Sequence, residues 1–165
     1  MQLKIGDGAP NFTLPDQDGK THTLAEYAGT WLLLYFYPKD NTPGCTKEAC
    51  MMRDDFYGFS ARGGSASGGK KFPIKIVGVS VDSVKSHKKF ADEYKLPFTL
   101  LSDEGKELVN LYGVWGKKKF MGKEYDGTFR MSFLINPKGV IEKIYTNVKP
   151  AEHSKEVLED LKIVI

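Results

Sequence analysis

Residues 31–50 read WLLLYFYPKDNTPGCTKEAC: an apolar run, a break rich in proline and polar residues, and then both cysteines of the chain. The run 31–37 is apolar at every position, which suits a central strand covered on both faces; strict alternation would mark a half-exposed one. Pro38 ends it. Thr42 is a candidate N-cap and Pro43 suits the first helical position, where a missing N–H costs nothing. Ala49, Met52, Arg53 and Phe56 then give a helix running from residue 43 to about residue 57 a partly apolar face. A buried strand feeding a helix is the repeating unit of an α/β fold.

The same unit recurs downstream. IKIVGVSVD (74–82) predicts a second buried strand, with a helix over 84–94, a short strand at 98–101 and a helix over 104–112. The pattern then changes: RMSFLI (130–135) and GVIEKIY (139–145) meet at NPKG, a turn short enough for an antiparallel hairpin, and 152–161 predicts a closing helix. Upstream, 11–14 and 20–24 flank PDQDG and predict a small N-terminal hairpin. This order is that of a thioredoxin-like α/β fold, a central mixed sheet flanked by helices, in one domain over 1–165. GFSARGGSASGGKKF (58–72) carries five glycines and three serines and reads as a flexible insertion. GKKKF (116–120) reads as a solvated basic turn.

Composition narrows the functions. A chain of 165 residues, 41% hydrophobic, is long enough for one real core. Its net charge of +3, from 24 basic against 21 acidic residues, is spread along the chain and does not mark a nucleic-acid binder. No stretch is long and apolar enough to span a bilayer, and residues 1–12 do not read as an export signal, so a soluble cytoplasmic protein is expected. A close cysteine pair in that compartment points to redox or metal chemistry rather than a structural bridge. His22, His87 and His153 are scattered, without the spacing of a metal site. The Cys-x-x-Cys spacing of dithiol reductases is absent.

Cys45 falls in the first turn of the predicted helix, where unpaired backbone N–H groups and the positive end of the helix dipole favour a thiolate. Cys50, more than a turn further in, lacks that advantage. The pair therefore reads as an attacking thiol and a second thiol that resolves the product, by way of a sulfenic acid. Pro38, Thr42 and Cys45 match the Pro-x-x-x-Thr-x-x-Cys signature of peroxiredoxins, and Arg130 stands where that family carries an arginine ahead of a late strand. CTKEAC (45–50) and IVGVSVDSVKSHKKFADEYKLPFTLLSD (76–103) closely resemble the bacterioferritin comigratory protein, or PrxQ, branch.

That resemblance implies a thiol peroxidase acting on hydrogen peroxide and organic hydroperoxides, with Cys45 peroxidatic and Cys50 resolving. It implies that Thr42 holds peroxide and thiolate, that Pro38 shields the pocket from water, and that Arg130 stabilises thiolate and transition state. It further implies a monomer recycled by thioredoxin or a similar dithiol donor, without metal, haem or flavin. Glu48, between the cysteines, could orient Arg130 but reads first as a helix-surface residue, and Trp115, Phe120, Tyr125 and Phe129 could wall an apolar approach to the thiol but read first as core packing. The same thiol chemistry also fits a redox sensor that switches a partner surface, which steady-state peroxide consumption distinguishes. Two residues five apart on one α-helix have Cα atoms about 8.7 Å apart, beyond the roughly 6.8 Å a disulfide tolerates, so a Cys45–Cys50 bond requires local unwinding.

Because loop length enters closure entropy only logarithmically, trimming residues 63–69 is expected to shift the thermal midpoint by no more than about 3 °C. Calorimetry of the shortened chain checks this.

Overall fold

The apolar run after Thr30 forms β3 (Trp31–Phe36), the middle strand of a five-stranded sheet. A computed structural model describes residues 2–57 and 74–164, and the 58–72 segment lies outside the described residues. β3 is flanked on one side by β4 (Ile74–Ser80) and β5 (Thr99–Ser102), both parallel. On its other side lie β8 (Met131–Ile135), antiparallel to β3, and β9 (Ile141–Tyr145), antiparallel to β8. The order β5-β4-β3-β8-β9 makes the sheet mixed, as the late hairpin predicts.

Alternation along β3 sends its side chains into two cores. Leu33, Tyr35 and Tyr37 join Cys45, Ala49, Met52 and Phe56 of α1 (Pro43–Tyr57), together with residues of α2 (Val84–Tyr94) and α4 (His153–Val164). Leu32, Leu34 and Phe36 face Phe12, Phe133, Tyr112 and the short helix α3 (Glu107–Leu111). Leu32, Leu33 and Leu34 are each 0% exposed. Burial of that completeness contributes about 1.5–3 kcal/mol per leucine, which is why an unbroken apolar run is stable here. The N-terminal hairpin pairs β1 (Thr13–Pro15) with β2 (Thr21–Thr23). Its turn is held by the Asp16 carboxylate, which accepts the N–H groups of Asp18 and Lys20. None of the described helices is long and apolar enough to cross a membrane.

Two expectations are corrected. The helix foreseen over 104–112 is shortened to Glu107–Leu111, because Lys106 is left-handed (φ 59°) and the carboxylate of Asp103, just ahead of the foreseen span, accepts the Val109 N–H at 2.8 Å. The basic segment 116–120 is not a turn: it belongs to β6 (Trp115–Phe120), which pairs antiparallel with β7 (Lys123–Thr128). The turn itself is Met121–Gly122, both at positive φ (52° and 79°), the geometry of a tight hairpin connection.

Gly78 of β4 sits opposite Tyr35 in the ladder, and a Cβ there would come within 2.9 Å of both the Tyr35 ring and a Leu100 methyl. Gly78→Ala therefore overpacks the centre of the sheet and is expected to cost about 1–3 kcal/mol, read as a lowered urea midpoint at unchanged slope.

Candidate active site

The loop from Tyr37 to Thr42 carries the chain from β3 into α1, at the carboxyl ends of the parallel strands, where open α/β sheets bind ligands. Thr42 forms the helix boundary: its carbonyl accepts the Thr46 N–H at 2.9 Å, while its hydroxyl donates to the Lys39 carbonyl at 2.8 Å. Cys45 follows in the first turn and is only 1% exposed, part of the core beneath α1. Pro38, at the end of β3, is half-buried.

Arg130 reaches this thiol from far along the chain. β8 runs antiparallel to β3 with Met131 opposite Phe36, so the residue just ahead of Met131 lies beyond the end of β3 and beside the start of α1. From there Nη2 donates to the Cys45 sulfur at 3.2 Å and Nη1 donates to Glu48 Oε1 at 2.8 Å. Burial opposes the arginine charge, but Glu48 and Cys45 together more than offset it. Gly44 makes room for the fork, since a Cβ there would stand 3.1 Å from Nη2 and 3.5 Å from the Pro150 ring. Lys118 of β6 adds a second cation nearby; its Nζ donates to the Thr128 carbonyl at 3.0 Å, and burial and then Arg130 push its pKa down.

Glu48 is not a surface residue. It is 1% exposed, one turn beyond Cys45 on the same helix face, and it pairs with Arg130. Burial, only partly offset by Arg130, raises its pKa to about 7. The signal was available in the i, i+3 spacing, which aligns Cys45 and Glu48 toward one partner. The reading of the aromatics as core packing also needs correction: Phe120 is 67% and Tyr125 47% exposed, whereas Trp115 packs against the second core and the Phe129 ring lies against Gly116. Cys50 is half-buried on the same continuous helix, and burial pushes its thiol pKa up. Both cysteines are free.

Comparison with known proteins agrees with this geometry. Residues 5–144 match the AhpC/TSA family. The chain belongs to that family. Within it, this peroxiredoxin is 44% identical over 160 residues to peroxiredoxin Bcp of Escherichia coli K12, covering 97% of this chain and 96% of the relative. It is 41% identical over 162 residues to peroxiredoxin Bcp of Bacillus subtilis, covering 98% and 97%. A cysteine-to-serine variant of PrxQ from Xylella fastidiosa superposes with a TM-score of 0.86 at 32% identity, covering 99% of this chain and 98% of that one. The bacterioferritin comigratory protein of Xanthomonas campestris, solved in trapped intermediate and ligand complexes to study alkyl peroxide reduction, gives 0.78 at 34% identity, covering 95% and 98%. The peroxiredoxin is thus a thiol peroxidase with a thioredoxin fold.

Arg130→Met removes the donor on the sulfur and is expected to slow stoichiometric oxidation by hydrogen peroxide about a hundredfold or more, measured by stopped flow. Glu48 supplies a pH test. Its folded pKa of about 7 exceeds the ordinary 4.5, so between these values the folded state keeps a proton that the unfolded state has lost. Its contribution to stability therefore falls as pH rises through that window, by roughly 3 kcal/mol in total. In Glu48→Gln this part of the pH slope is expected to vanish from urea unfolding curves recorded between pH 4.5 and 8.

Proposed function

We propose that Cys45 is the peroxidatic cysteine and Cys50 the resolving one, in a monomeric cytoplasmic enzyme recycled by a thioredoxin-like dithiol donor. The observation that carries this reading is the Arg130 fork, with one N–H on the Cys45 sulfur and another on a buried carboxylate. The Cys45 thiolate attacks one oxygen of the peroxide, an S–O bond forms, the O–O bond breaks, and the electron pair leaves with the distal oxygen. That departing oxygen takes up a proton and is released as water or an alcohol, while Cys45 becomes a sulfenic acid. Negative charge moves from sulfur to the leaving oxygen during attack, so a guanidinium already in place stabilises the transition state more than the ground state. Thr42 complements it. With its own proton committed to Lys39, its oxygen remains an acceptor for the peroxide O–H. Pro38 keeps water from the reacting sulfur.

Resolution follows when the Cys50 thiolate attacks the sulfenic sulfur and hydroxide leaves as water, forming the Cys45–Cys50 disulfide; a dithiol donor then reduces it. The raised pKa of Cys50 supports this division of labour, since that thiol stays protonated while Cys45 reacts. The bond requires α1 to unwind around the cysteines, and downstream contacts limit how far. Arg53 donates to the Tyr94 carbonyl, the Asp55 carboxylate accepts the Ser154 hydroxyl, and Met52 and Phe56 are core residues.

Cys50→Ser is expected to keep one stoichiometric turnover and to lose cycling with thioredoxin and its reductase by at least about a hundredfold. Intact-mass spectrometry after one equivalent of peroxide should show a sulfenic acid in that variant and the loss of two hydrogens in the unaltered protein. Steady peroxide turnover by Cys45→Ser would refute the assignment.

A further inference from the structure

Asp40 sits between Pro38 and Thr42 and makes contacts that the chemistry at Cys45 does not use. Its side chain is 3% exposed and that of His87, in the first turn of α2, is 0% exposed. His87 Nδ1 lies 2.6 Å from Asp40 Oδ2 and Nε2 lies 2.9 Å from the Leu101 carbonyl oxygen. A carbonyl can only accept, so Nε2 carries a proton. Asp40 also receives the Tyr37 hydroxyl on Oδ1 at 2.6 Å and the Ser86 hydroxyl on Oδ2 at 2.8 Å. Burial, and then the Asp40 charge, hold the Tyr37 pKa well above its usual value and keep it a donor. The Asp40 carboxylate is thus ringed by the Tyr37 hydroxyl, the Ser86 hydroxyl and the His87 ring, and that ring bridges it to the Leu101 carbonyl. The N-terminal turn of α2 adds a favourable dipole for that carboxylate.

The backbone is tied at the same point, since the Asp40 N–H donates to Asp82 Oδ2 at 2.9 Å and the Ser80 hydroxyl donates to that same oxygen at 2.6 Å. Asp40, Asp82 and His87 have the proximity of a metal-ligand trio, but these hydrogen bonds already engage their ligand atoms. Residue 40 is thereby tied directly to α2 and to Asp82, and through His87 and Asp82 to Leu101 of β5 and Ser80 of β4, none of which lies in the cysteine helix. Lys39, which accepts the Thr42 hydroxyl, immediately precedes it.

We propose that the buried Asp40–His87 pair is a positioning device for the catalytic loop. It stakes the chain at residue 40, so that Thr42 and the first turn of α1 stand correctly for attack, and it sets the upstream limit of the segment that unwinds for resolution. The proposal rests on the peroxidatic and resolving roles of Cys45 and Cys50. Freeing the stake disorders the attacking geometry and eases unwinding, so it moves the two half-reactions in opposite directions. An ordinary loss of packing slows both or neither.

The test measures sulfenic acid formation in a Cys50→Ser background and disulfide formation in chains that keep both cysteines. Asp40→Asn and His87→Gln are each expected to slow the first about tenfold and to speed the second severalfold, and their combination to change less than the sum of the two. Ser86→Ala, which removes one donor to Asp40, should move both rates in the same senses by smaller factors. Unchanged rates, or both rates slowed together, in a folded variant would overturn the proposal. If the variants do not fold, the unaltered protein still decides it. Hydrogen exchange should show the Asp40 amide protected in reduced and oxidised protein while residues 43–50 exchange faster once oxidised. Loss of Asp40 protection on oxidation would refute it. Failure of the unaltered protein to consume peroxide would overturn the underlying reading instead, and the exchange results would then judge the stake alone.

Discussion

Arg130 has to hold two groups at once, and much of the architecture serves that demand. Its fork meets the Cys45 sulfur with one nitrogen and Glu48 with another, so its orientation is fixed by a carboxylate that the solvent barely reaches. A lone cation beside a thiolate swings toward water; one clamped by a buried acid cannot. The antiparallel entry of β8 brings the arginine to the end of β3, Gly44 leaves space for it, and the helix presents cysteine and glutamate on one face. The arrangement carries a cost, since Glu48 has one oxygen, Oε2, buried without a hydrogen-bond partner among the described residues. Burial of that acid is what lifts its pKa toward neutrality.

The same helix serves opposing requirements. Cys45 belongs to the core that Tyr35, Met52 and Phe56 share, which holds the sulfur in place. A sulfur fixed there is out of reach of Cys50. On the proposed roles of the two cysteines, reactivity with peroxide favours order and reactivity with the second thiol favours its loss, so the stability of one helical turn tunes the balance between them. Firm contacts on both sides of the turn, at residue 40 and around Arg53, confine the loss to a short stretch and leave the sheet intact.

Local features were readable in the sequence where cause and residue lie side by side. The apolar run identified β3, the Thr-Pro pair identified the start of α1, and both cysteines were placed on that helix. Arg130 was visible only through a family signature, because nothing local tells a distant arginine which sulfur it will meet. Glu48 was recognised as a possible partner of Arg130 but ranked below a surface reading for a related reason: a glutamate on a helix is normally solvated, and only the arrival of a cation from the segment just ahead of β8 makes its burial tolerable. The Asp40–His87 pair joins residues 47 apart in sequence, and each reads alone as an ordinary loop or helix residue. The β6–β7 hairpin was missed because its turn is Met-Gly, without the Asn-Gly or Asp-Gly that usually marks such a connection, and because three consecutive lysines suppress the appearance of a strand.

The separation between Cys45 and Arg130 also fixes when, during synthesis, the contact at the sulfur can form. The cysteine leaves the ribosome 85 residues ahead of the arginine that contacts it. Synthesis at roughly 5–20 residues per second puts several seconds between them. During that interval β3 and α1 have no β8 beside them, and Cys45 lacks its principal donor. On the reading that makes Cys45 the peroxidatic thiol, arginine-assisted attack on peroxide becomes available only once β8 docks against β3. Topology thus sets the order of events, the contact at the sulfur being completed only after the sheet beside it.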